Sequence, residues 1–354
     1  MELQKNNRLE YVDALRGFAI ILVILVHMAL FSFGVNIEKT DNVNYYFVLF
    51  HVPLFFFISG FVFYKSNFNW ELSSVKTFLL KKVPALVLSP FLFFLCYIYC
   101  KGYAFGGAIT ASSKMGYWFT FALFGYFVLY VVLRKLLAAV KVKENASLVI
   151  LFLIGFALYA TASDADSKQL PVWFQATAGV LGISQLRFFV FFVAGICVKK
   201  YFNKIELLLD GSYLVPIAVI SFFAINIFVD LGELCRFQRD VVRMFLAFCG
   251  IVISFSLFRK YKSVFAGNSL VGSVLVFVGK RTLDIYLLHY FFICFNLKDL
   301  FPFFSENNMP LLELVMSFVL AAITIAASLA VGVVFRIDKR LAHYLFGAPL
   351  KDKY

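Results

Sequence analysis

The sequence predicts an all-α polytopic integral membrane protein with about ten transmembrane helices and both termini in the cytosol. Three observations predict it. Apolar residues fill 62% of the 354 positions and charged residues only 15%, against about 45–50% and 25% in soluble domains. The apolar residues form runs that approach the ~20 positions a helix needs to cross the hydrocarbon. Lys and Arg gather in the short segments between alternate runs. A soluble fold has no interior large enough for 47 phenylalanines, and the mean hydropathy of +0.87 agrees.

The first run, 14–33, is longer than the roughly 7–15 apolar residues of a secretory leader and no small-x-small cleavage site follows it, so it reads as a retained span. The second, 44–64, carries His51, a helix-bending Pro53 and Ser59-Gly60, a small-residue contact for close packing. The remaining spans fall at about 84–100, 116–133, 147–163, 180–198, 213–229, 241–258, 282–297 and 311–334. Only short polar loops separate them, without a soluble insert, low-complexity tract or clear repeat. The chain 1–354 therefore reads as a single membrane-embedded domain with a basic cytosolic tail from about 336 to 354.

Orientation follows from the loops, because cytosolic segments hold the excess of Lys and Arg. With the N-terminus inside, the inner segments hold three times as many basic residues as the outer ones. Twenty-one fall inside, among them Lys5, Arg8, Lys65, Lys81, Lys82, Arg134, Lys199, Arg259 and Arg336, whereas the seven Lys39, Lys101, Lys114, Lys168, Arg236, Arg239 and Lys298 fall outside. The net charge of +13 is thus explained by topology and does not call for a nucleic-acid partner. From Arg336 to Phe346, charges alternate with Ile337, Leu341, Tyr344 and Leu345. This segment reads either as an amphipathic helix on the inner leaflet or as a plain basic anchor. The six cysteines form no CxxC pattern and most lie inside apolar runs, which leaves neither a disulfide framework nor a metal site.

Ionisable groups at membrane depth are costly and mark a bundle interior or a watery cavity. The first span has three, Asp13, Arg16 and His27. At 100° per residue they fall on one helix face, and Arg16 and His27 are about 16 Å apart along the axis. Such a stripe suits a proton relay or a substrate tunnel. It equally suits an i,i+3 ion pair with a histidine bridging to a neighbouring helix.

The segment Arg8-Leu9-Glu10-Tyr11-Val12-Asp13-Ala14-Leu15-Arg16-Gly17-Phe18-Ala19, followed by Val26-His27, resembles the opening of the membrane acyltransferase 3 family. Its hallmark is a basic residue, ten intervening residues and a histidine. Four further segments are similar to the family in order. They are Phe50-His51-Val52-Pro53-Leu54-Phe55-Phe56-Phe57-Ile58-Ser59-Gly60-Phe61; Tyr117-Trp118-Phe119; Arg187 with Phe192-Val193-Ala194-Gly195; and Gly279 to His289, ending in Leu287-Leu288-His289. The resemblance covers nearly the whole chain.

It implies an acyltransferase moving an acyl group, commonly acetyl, from cytosolic acyl-CoA to a hydroxyl of a cell-surface or lipid-linked glycan. The setting implied is the bacterial inner or plasma membrane. Acyl-CoA is then a donor substrate, with no permanently bound cofactor and no metal. The bilayer, the donor and the glycan are the partners; oligomeric state is not legible. The family's arginine pair before the third span is absent: Phe78-Leu79-Leu80-Lys81-Lys82 stands there, and lysine offers a phosphate a point charge without arginine's fork.

On this reading His27 is the general base, since an imidazole titrates close to working pH. Arg16 meets a CoA phosphate or shapes the tunnel entrance, Asp13 orients Arg16, and Lys81 and Lys82 contact the donor. Arg187, Trp118 and His289 are the candidates for the acceptor side, and His51 is read as structural polar packing. The competing class is a transporter or exporter of a glycan or organic acid, which intramembrane charges also suit. Against it, no corresponding pair of broken helices recurs in two halves.

Overall fold

The computed structural model describes residues 9–35, 42–66, 68–162, 164, 170–265, 269–307 and 309–348. Lys5, Arg8, Lys39, Lys168 and the end of the tail, with Lys351 and Lys353, lie outside the described residues. Among the described residues there is no strand. The helices are α1 Glu10–His27, α2 Val43–Val48, α3 His51–Phe63, α4 Leu72–Leu80, α5 Ser89–Lys101, α6 Phe105–Thr110 and α7 Trp118–Ala139. Next come α8 Glu144–Thr161, α9 Val172–Leu181, α10 Phe189–Lys200, α11 Phe202–Asp210, α12 Leu214–Phe228 and α13 Arg236–Lys260. The chain ends with α14 Lys262–Phe265, α15 Leu270–Lys280, α16 Thr282–Phe292, α17 Phe301–Glu306, α18 Pro310–Phe335 and α19 Lys339–Phe346.

Among the described residues, seven helical segments are long and apolar enough to cross a membrane, or up to nine if two bent pairs each count as one span. The bends are 49° between α9 and the segment beginning at Ile183, and 72° between α11 and α12. The protein is a multi-pass membrane protein, but the count differs from the ten spans expected. The difference is clearest at the ninth, 282–297. Its helix stops at Phe292, and Leu297 donates its backbone N–H to the Ser32 carbonyl at 2.8 Å. The sequence shows an apolar run there, but from Ile293 on it is non-helical chain tied to the first span.

Sequence periodicity also passed over α15, whose 11 residues are too few to register as a span. In the fold α15 is the main neighbour of α1. Asp13 meets Gly279 and Gly17 meets Leu275, so α15 runs antiparallel to α1. The chain reverses at Arg281. Thr282 then meets Arg16 and His289 meets His27, so α16 climbs back beside α1.

These approaches depend on missing side chains. A methyl group at Gly279 would lie 1.8 Å from the Asp13 carbonyl oxygen. The pair α3 and α10 is built alike: a methyl at Gly60 would lie 1.9 Å from the Phe192 oxygen, and one at Gly195 2.0 Å from that of Phe57. Close backbone approach is how helices gain dispersion contact where lipid gives no hydrophobic drive. Around it lies an aromatic core in which Phe56, Phe61, Phe189, Phe191 and Phe192 are all buried.

Asp284, fully buried on α16, is held by Arg336 at the end of α18 through two bonds of 2.6 and 2.7 Å. A buried carboxylate needs such a partner. Arg336 also lies over the Phe346 ring of α19 at 4.9 Å. Asp338 caps α19, accepting from the N–H groups of Arg340 and Leu341. Those donors hold its carboxyl below the usual carboxylate value. The tail is therefore a docked amphipathic helix, with Phe346 buried while Leu341 and Tyr344 stay exposed.

Candidate active site

A cavity of about 460 Å³ runs between α1, α3, α7 and α16. From α1 it receives Arg16, Ile20, Val23 and His27, whose spacing of four, three and four keeps them on one helix face. From α3 come His51, Phe55, Ile58, Ser59 and Val62. The first turns of α7 supply Trp118, Phe119 and Thr120, and α16 supplies Thr282, Tyr286 and Tyr290. Lys65 and Lys82 border it beside Arg16.

The cavity has two chemically distinct ends. Arg16, Lys65 and Lys82 make one end cationic. Burial pushes the Lys82 ammonium below its ordinary value, and the Lys65 and Arg16 charges push it the same way. Arg16 is fixed from two sides: its Nη1 lies 3.8 Å from the Asp13 carboxylate and its Nη2 donates to the Thr282 hydroxyl at 3.4 Å. An anion entering here meets three cations.

The other end holds the histidines. Nδ1 of His27 lies 3.2 Å from Nε2 of His289, and Nδ1 of His289 lies 3.0 Å from the Ile285 carbonyl oxygen. A carbonyl only accepts, so His289 carries a proton on Nδ1 and, as a neutral ring, leaves Nε2 bare. That bare nitrogen must accept from His27 Nδ1–H. The remaining nitrogen of His27, Nε2, is then an unprotonated lone pair beside the cavity. His51 is oriented in the same way, its Nδ1 donating to the Phe47 carbonyl at 2.8 Å.

Both ends are marked by π-helical turns, which often accompany functional sites. One, Met28–Phe33, begins at the residue after His27; the other, Pro84–Leu88, contributes Ala85 and Leu86 to the cavity wall near Lys82. Beyond Gly116, Tyr286 spans α16 and α7: its hydroxyl donates to the Gly116 carbonyl at 3.1 Å and accepts from Phe119 N–H at 3.2 Å.

Of the residues singled out in the sequence, Arg16, His27, Lys82 and Trp118 border the cavity. Asp13 is buried behind Arg16. Lys81, the C-cap of α4, is not part of the wall. Arg187 is exposed and is not part of the wall; its guanidinium lies 4.7 Å from the Phe188 ring. His289, fully buried, reaches the cavity only through His27. Trp118 lies nearly parallel to Phe188 with ring centres 5.7 Å apart.

Sequence reading missed Lys65, Thr282, Tyr286 and Tyr290, and it set His51 aside. One signal was available for His51. It stands 14 residues from Lys65, as His27 stands 11 from Arg16, so two antiparallel spans each carry a histidine about 16–21 Å from a cation. Among the described residues no group of three or more His, Cys, Asp or Glu is arranged to hold a metal ion.

The architecture defines a membrane protein with an intramembrane chamber, cationic at one end and lined by imidazoles at the other. A family model described as an acyltransferase domain matches residues 9–336, nearly the whole chain. The chain belongs to the membrane acyltransferase 3 family. No curated protein and no solved structure matches it.

Proposed function

We propose that this acyltransferase moves an acyl group, acetyl in the first instance, from cytosolic acyl-CoA to a hydroxyl of a cell-surface or lipid-linked glycan. The observation that carries the reading is the continuous cavity from Arg16, Lys65 and Lys82 to the bare Nε2 of His27. A nucleotide thioester has matching halves: phosphates for the cations, and a slender arm that brings the thioester to the imidazole.

In the transfer, His27 Nε2 takes the proton of the acceptor hydroxyl as its oxygen attacks the thioester carbonyl carbon. The tetrahedral adduct collapses with loss of the C–S bond. The imidazolium returns its proton to the departing thiolate, giving an ester and free CoA. His289 keeps the reacting tautomer in place, because its Nε2 can only accept from His27 Nδ1–H. Thr282 and Asp13 orient Arg16 toward the donor's phosphates.

The cationic end faces the cytosol in this reading, and the membrane is the inner or plasma membrane. Loops at that end support it. Arg134 and Lys200 share Glu144, Lys262 lies over Tyr11, and Gly347 of the tail abuts Ala85. The basic segments assigned to the inner face thus meet one another. Purified protein in liposomes tests the proposal: free CoA thiol should appear only when an alcohol acceptor is supplied. Accumulation of a glycan with no thioester loss would make the chain a carrier instead.

A further inference from the structure

Antiparallel helices α1 and α3 present matched stripes to the same chamber. On α1 the stripe runs from Arg16 to His27, and on α3 from His51 to Val62, with Lys65 just beyond. Both stripes therefore end in a histidine away from the cations. The base occupies one of these positions. Proton transfer by His27 leaves the other, His51, without a task.

His51 is buried and lines the cavity. Its ring is anchored through Nδ1 to the Phe47 carbonyl. A carbonyl cannot donate, so this bond fixes the tautomer and turns an unprotonated Nε2 outward. No described residue donates to that atom. A histidine serving only to bridge helices would spend both ring nitrogens on protein groups, because an unmet polar atom in this setting is costly. His289 does so: its Nδ1 goes to Ile285 and its Nε2 to His27. His51 does not.

We propose that His51 Nε2 is a specificity site for the acceptor, accepting a hydrogen bond from a second hydroxyl of the alcohol whose first hydroxyl is delivered to His27. The inference rests on the acyl-transfer reading and sharpens its substrate class. The acceptor is a polyol such as a sugar, with one O–H per imidazole, rather than a simple alcohol. Two neutral acceptors on facing helices recognise two donors, and the single hydroxyl of a monohydric alcohol satisfies only one at a time. A hydroxyl in this position is discriminated because the analogue lacking it leaves His51 unpaired.

The test uses the full-length protein in lipid nanodiscs with acetyl-CoA and a set of methyl hexosides. The set holds the parent sugar and its analogues with a single hydroxyl replaced by hydrogen; release of free thiol is the readout. For the wild type, one deoxy position besides the acylated one should lower kcat/KM about tenfold or more, the size expected for one buried hydrogen bond. In His51→Phe that analogue and the parent should react equally, while the other deoxy positions keep their wild-type ratios. His51→Gln, whose amide oxygen can still accept, should restore part of the discrimination.

The proposal is overturned if His51→Phe keeps the full wild-type pattern. It is also overturned if both variants lose turnover equally with every acceptor, as a merely structural histidine requires. Absence of thiol release from the wild type with any alcohol removes the acyl-transfer reading itself, whatever the variants do.

Discussion

Nδ1 of His27 and Nε2 of His289 face each other at 3.2 Å across the α1–α16 contact, with the rings nearly parallel at 13°. Because His289 is in turn tied to the Ile285 carbonyl, the proton positions along this chain have one consistent assignment. On the proposed mechanism, the lone pair at its free end is the group on which the chemistry depends.

Replacing that end should stop the reaction. His27→Ala is expected to lower acceptor-dependent release of CoA thiol by about 10²–10⁴-fold, the usual contribution of a general base. The amount of protein recovered in the membrane fraction should match wild type. Full turnover by the variant would take His27 out of the reaction.

The second histidine acts through the first, so its loss should read differently. His289→Leu removes the acceptor for His27 Nδ1–H, and kcat should fall about 10–100-fold with little change in KM for the donor. His289→Gln, which can still accept through its amide oxygen, should recover much of that loss. Equal damage from both variants would indicate a packing role.

At the cationic end, Lys82→Met should raise KM for acetyl-CoA about fivefold to tenfold while leaving KM unchanged for an N-acetylcysteamine thioester, which lacks the phosphates. Lys82 has a depressed pKa set by burial first and by Lys65 and Arg16 next. Donor phosphates oppose both cations, so binding should raise it. Between the free and bound values a proton is then taken up on binding. Calorimetry in two buffers of different ionisation heat should register it, and uptake should vanish in Lys82→Met.

Helix approach is equally testable. Gly60→Ala places a methyl group against the Phe192 carbonyl, where neither backbone yields easily. About 1–3 kcal/mol of stability should be lost, seen as a lower midpoint in detergent thermal unfolding. An unchanged midpoint would mean that α3 and α10 can separate at no cost.

The first-span stripe was legible because an α-helix turns 100° per residue, which places Arg16 and His27 on one face before any neighbour is known. Their partners were not, since Thr282 and His289 lie more than 260 residues away and a helix reversal at Arg281 is needed to bring them near. The apolar run 282–297 was visible; the hydrogen bond from Leu297 to Ser32 that ends its usefulness as a span was not. The place of His51 on the cavity wall was hidden for the same reason. Its sequence neighbours are apolar, and only the arrangement of α1 and α3 brings it to the wall of the same cavity as His27.

The glycine contacts have a further consequence. With α1 clamped to α15 and α3 to α10 at backbone distance, two of the helices that wall the chamber are held from behind by contacts that changes to its lining side chains do not touch. Its free width is then governed by Ile20, Val23, Phe55, Ile58 and Leu123, which project into it. If the chamber receives the donor as proposed, trimming or enlarging these few groups should change the length of acyl chain it admits while the glycine-clamped helix pairs stay in place.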